Sequence, residues 1–92
     1  MGRFLVRVPH DPEPLACAKV VDVFLRTGSH YLAGADWGCA DGDHNAWMIV
    51  DADSKDDARQ VVPAAFRSET RVVSLNKFTL EQIERIMREH RT

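Results

Sequence analysis

The sequence predicts an α+β fold, in which one antiparallel sheet carries two long helices and a further helix follows at the C-terminal end. Three observations predict it. Short apolar segments alternate with period two at Arg3–Val8, Asn45–Asp51 and Arg71–Leu75. Apolar residues recur with helical spacing at Leu15–Thr27, from Ser54 onward, and at Leu80–His90. Proline, glycine and aspartate clusters separate these segments.

Taken in order, the first strand places Phe4, Val6 and Val8 on one side and Leu5 and Arg7 on the other. It ends at Pro9, and His10-Asp11-Pro12-Glu13-Pro14 reads as a stiff connection, because each proline fixes its own φ and restricts its predecessor. In the first helix Cys17, Val20, Val21, Phe24 and Leu25 share a face, which assigns Cys17 to the core, and Gly28 is placed to stop the helix. Tyr31, Ala33, Ala35, Trp37 and Cys39 alternate with His30, Leu32, Gly34, Asp36 and Gly38, which predicts an extended second strand. Asp41-Gly42-Asp43 is a turn, and the next strand puts Ala46, Met48 and Val50 opposite Trp47 and Ile49. Ser54 caps a helix that Pro63 kinks or restarts. Thr79-Leu80-Glu81-Gln82 is a capping box with Phe78 and Ile83 as its staple, and Glu81–Arg85 and Glu84–Arg88 are spaced to pair along the last helix.

The order β-α-β-β-α-β plus a terminal helix is the ferredoxin-like arrangement, with both long helices on one face of the sheet. Yet the strands are apolar on both faces: Leu5, Trp47 and Ile49 oppose Phe4, Val6, Met48 and Val50, and in the last strand Val72 opposes Val73 and Leu75. A second cover is therefore expected: a homodimer with two sheets facing around a shared interior supplies it, and a monomer whose terminal helix curls over the face is the alternative.

A chain of 92 residues makes a single domain, residues 1–92, of about 12 Å radius of gyration when compact. Twelve Lys+Arg against 14 Asp+Glu give net −2, which excludes an electrostatic footprint for nucleic acid. No apolar run reaches membrane-span length and no leader pattern is evident, so a cytoplasmic protein with Cys17 and Cys39 as reduced thiols is expected. Asp51-Ala52-Asp53-Ser54-Lys55-Asp56 lacks the glycine and glutamate of a calcium loop, and two cysteines cannot hold an iron–sulfur cluster.

Unusual chemistry is concentrated in Asp36-Trp37-Gly38-Cys39-Ala40-Asp41-Gly42-Asp43-His44. Together with Val62-Pro63 and Asn76-Lys77-Phe78-Thr79, this block resembles a group of small bacterial proteins of about this length. The resemblance covers most of the chain and implies membership of the dimeric α+β barrel assemblage, which includes small isomerases, cofactor-free monooxygenases and ligand-binding or stress-related proteins. It implies no activity and no catalytic residue that transfers to this chain.

Three chemistries fit the residues. A pocket between the sheets for a small, partly aromatic organic ligand would be lined by Trp37 and Trp47, with Cys39, His44, His30 and Tyr31 as polar handles; no cofactor is required. A small enzyme without a prosthetic group, isomerase or monooxygenase-like, would use His44 for proton transfer on an enolisable or aromatic substrate. A transition-metal site for zinc or nickel would use Cys39 and His44 with Asp41, and His30 only if the strands bring it near. A Cys39 nucleophile is disfavoured, since Asp36, Asp41 and Asp43 oppose thiolate formation. Ligand binding without catalysis is the first expectation.

Overall fold

The computed structural model describes residues 1–27 and 29–91. In chain order the elements are β1 (Gly2–Pro9), α1 (Pro14–Arg26), α2 (His30–Ala33), β2 (Asp36–Trp37), a 3₁₀ turn (Cys39–Asp41), β3 (Asn45–Ala52), α3 (Lys55–Arg59), a second 3₁₀ segment (Ala64–Glu69), β4 (Arg71–Leu75) and α4 (Leu80–Glu89). The four strands form one open antiparallel sheet in the order β2-β3-β1-β4.

Alternation decides the two faces of this sheet. Phe4, Val6 and Val8 of β1, Ala46, Met48 and Val50 of β3 and Val72 of β4 are buried, and Val20 and Phe24 of α1 and Leu32 of α2 close over them. Along α1 the expected face holds at Val20 and Phe24 but ends at Leu25, which is exposed. On the other face Leu5 lies between Ile49 and Val73, and Arg7 between Trp47 and Arg71, in direct cross-strand register. This second face is bare: Ile49 is 55% and Val73 46% exposed.

Between Ser29 and Cys39 the structure corrects the long extended strand. His30–Ala33 is a turn of helix, β2 is two residues long, and Cys39 begins a 3₁₀ turn. Small and aromatic residues at alternate positions satisfy a helical turn as well as a strand, and packing of Leu32 into the core selects the helix. The helix stop expected at Gly28 lies outside the described residues.

α3 ends at Arg59, short of Pro63, which instead opens the 3₁₀ segment, where Arg67 Nε donates to the Val62 carbonyl (2.7 Å). The capping box of α4 forms in both directions: Gln82 N–H donates to Thr79 Oγ1 (3.1 Å), and Thr79 N–H to Gln82 Oε1 (2.8 Å). The pairs expected along α4 do not form; among the described residues the ion pair present is Arg26–Asp22 in α1, at 2.7 Å. α4 buries no residue and packs closely on no other element. The radius of gyration is accordingly 16.7 Å, well above that of a compact chain of this length. No helix among the described residues is long and apolar enough to cross a membrane.

Candidate metal centre

The β1–β3 register pairs Pro9 with Asn45 and thereby sets the next residues, His10 and His44, opposite each other. His10 N–H donates to the His44 carbonyl (3.0 Å), and the two imidazoles meet edge to face at 5.6 Å. Two histidines thus stand together where two paired strands end.

Cys17 arrives by way of the proline-rich connection. Asp11 accepts the Glu13 N–H (2.8 Å), and the Glu13 carboxylate caps α1 by accepting from Leu15 (3.1 Å) and Ala16 (2.9 Å). With Pro14 opening the helix, Cys17 falls at the end of its first turn, directly above His10. The core assignment for Cys17 is corrected by this geometry. Its thiol is half-buried and touches His10 and Cys39 instead of apolar side chains alone.

Cys39 is positioned by a tightly wound loop. The Gly38 carbonyl accepts from Asp41 and Asp43 (3.0 Å each), and Gly38 N–H donates to Asn45 (3.1 Å). A Cβ on Gly38 would stand 2.6 Å from the Asp43 carbonyl oxygen and 2.7 Å from the Trp47 ring, so only glycine fits. Gly42, at φ 81°, takes the left-handed conformation that lets the loop return to His44.

His10 Nε2 lies 3.0 Å from Cys39 Sγ and 3.2 Å from Cys17 Sγ, and the two free thiols are 3.1 Å apart. One donor atom from each of His10, Cys17, Cys39 and His44 lies within 4.8 Å of the other three, and all four residues are half-buried. The edges of a tetrahedral zinc site with two sulfurs and two nitrogens are about 3.3–3.8 Å long, which follows from bond lengths of about 2.0–2.3 Å. The separations present, from 3.0 Å to at most 4.8 Å, bracket these edges. Trp37 walls the inner side, edge-on to His10 (5.6 Å) and to Phe24 (5.0 Å).

The electrostatics favour neutral donors. Burial lowers the pKa of His10, the neighbouring His44 lowers it further, and Asp11 and the Val8 backbone oppose more weakly. Burial raises the Cys39 thiol, assisted by Cys17. His10 Nδ1 and His44 Nδ1 are buried without a full hydrogen bond. A His10 imidazole held toward its neutral form and a Cys39 thiol held toward its protonated form are compatible with donors that give up protons when a metal binds.

The residues singled out from sequence fall in three places. Trp37, Cys39 and His44 are together; Asp41 is exposed on the loop, and its carboxylate is outside the four-donor group. Trp47 lies on the opposite, bare face of the sheet beside Arg7. Tyr31, with exposed His30 stacked on it at 4.2 Å, accepts the Asp51 N–H at the far end of β3 (3.2 Å). Sequence reasoning missed His10 and Cys17. The available signal was a second spaced pair, His-x6-Cys at 10–17, set against Cys-x4-His at 39–44.

Comparison with protein-family models, with curated proteins and with solved structures finds no match to this chain.

Proposed function

We propose that the protein is a transition-metal-binding protein whose centre is a closed Cys2His2 site of His10, Cys17, Cys39 and His44. The observation that carries this is the convergence of both cysteines and two of the four histidines of the chain within 4.8 Å, from three separate segments. Two thiolates and two neutral imidazoles suit zinc by softness and number, and four protein donors leave no open position for a substrate. In this reading His44 donates its lone pair to the metal and is not a general base. The metal ties the end of β1, the first turn of α1 and the β2–β3 loop together, and the fold belongs with the ferredoxin-like proteins.

An organic ligand between sheets is less well supported, because Trp37, Trp47 and Tyr31 do not line one space. Zinc titration of protein prepared with reduced thiols tests the proposal. One equivalent is expected to bind, and His10→Ala, Cys17→Ser, Cys39→Ser and His44→Ala are each expected to weaken binding at least tenfold, while Asp41→Asn leaves it unchanged. Equal zinc binding by Cys17→Ser and the parent protein would remove the site, as would the absence of stoichiometric zinc.

A further inference from the structure

Two surfaces of this molecule lack partners, and they complement each other. One is the bare sheet face, where Leu5, Arg7, Trp47, Arg71 and Val73 line a hollow of about 240 Å³. Arg7 and Arg71 face each other directly across β1 and β4, an unfavourable like-charge pairing. Arg3 Nε and Arg7 Nε are buried without a hydrogen bond, and no carboxylate pairs with Arg3, Arg7 or Arg71 among the described residues. Asp51 stands opposite Arg3 in register, but Arg7 and Arg71 have no acidic neighbour across the strands, and the face has no apolar cover among the described residues.

The other surface is α4. Leu80, Ile83 and Met87 form one stripe with Ile86 at its edge, and Leu80 is 73% and Met87 53% exposed. At 100° per residue Glu84 borders that stripe. A ten-residue helix is marginal in water by itself, however well its N-terminus is capped, and is ordinarily held by packing its apolar side. α4 stands clear of its own sheet, in a molecule 55 Å long and only 28 by 21 Å across. In this conformation it packs closely on no other element of its own chain, and a second copy offers an uncovered face.

We infer that α4 of one chain seats its Leu80–Ile83–Met87 stripe on the bare sheet face of a second copy, with Glu84 toward Arg7 and Arg71, and that the exchange is reciprocal. A two-fold exchange closes, covers both unpartnered surfaces of both chains and leaves no open end for further growth. It differs from direct stacking of two sheets, in which α4 would have no role. It stands independently of the metal centre, which lies on the other side of the sheet.

The test uses the full chain with zinc present, in two variants: Leu80→Asp/Met87→Asp, with a spoiled helix and an intact face, and Ile49→Asp, with a spoiled face and an intact helix. Light scattering is expected to give twice 10.4 kDa for the parent protein and 10.4 kDa for each variant alone. Mixing the variants is expected to restore a heterodimer, visible by native mass spectrometry, because an intact helix then meets an intact face. Circular dichroism of each variant establishes that its β-sheet is retained. A variant that unfolds is replaced by the milder Met87→Gln or Ile49→Thr, for which a weakened dimer is expected. A monomeric parent protein, a dimer indifferent to the α4 substitutions, or variants that fail to pair when mixed would each overturn the inference.

Discussion

His10 and Cys17 show how a residue's role depends on what its neighbours force upon it. In isolation Cys17 is one more apolar position on a helix, and His10 is a polar residue beside a proline. The register of β1 against β3 and the Glu13 cap bring them together, and their chemistry follows from proximity. Protons then compete with metal. In the proposed centre, binding would displace thiol protons, so zinc affinity is expected to rise with pH. Titrations at several pH values with measured proton release check this. For the metal-free protein the sign is set by His10, whose folded pKa is below its ordinary 6.5. The unfolded chain takes up the proton first, so stability is full above 6.5 and is lost as pH falls through the lower, folded value. Urea midpoints of the metal-free protein are expected to decline over that interval, and His10→Gln to flatten the decline. Gly38 belongs to the same scale: Gly38→Ala drives a Cβ into the Asp43 carbonyl and the Trp47 ring, for an expected loss of about 1–3 kcal/mol in chemical denaturation.

At the scale of elements, boundaries follow local chemistry wherever local chemistry is strong. The Thr79–Gln82 capping box is formed, Ser54 caps α3 through the Asp57 N–H (3.1 Å), and Pro63 opens the 3₁₀ segment at Ala64. Where the pattern is ambiguous, packing decides. The stretch from His30 to Cys39 contains glycine, alanine and aromatics whose alternation imitates a strand, yet Leu32 is drawn into the core and the segment divides into a helical turn, two strand residues and a 3₁₀ turn. α4 has no such packing within its chain, so its cap matters more than most. Thr79→Ala is expected to cost about 1 kcal/mol of helix stability and to lower helical ellipticity without altering zinc stoichiometry.

For the whole molecule, the proposed metal would cross-link a chain whose core is small. The core is one layer of helices on one face of a four-stranded sheet, and a chain of 92 residues buries comparatively little surface. A metal that binds only the folded chain adds about 4 kcal/mol when free zinc is roughly 1,000 times its Kd. For a domain of this size that raises Tm by about 15 °C or more. Thermal denaturation with zinc and with a chelator is expected to show this difference in the parent protein and to lose it in Cys39→Ser.

The alternation in β1, β3 and β4 and the periodicity of α1 and α4 determined the α+β class, the core face of the sheet and the apolar character of its other face, because these patterns act over a few residues. The Trp37–His44 block was legible as the place of unusual chemistry, and Cys39 and His44 as its donors. Only the tertiary structure decided that His10 and Cys17 stand beside Cys39 and His44, that Trp47 and Tyr31 lie elsewhere, and that α4 packs closely on no other element. Strand register and the docking of α1 bring together residues as much as 34 positions apart, from His10 to His44, and no local pattern encodes a distance of that kind.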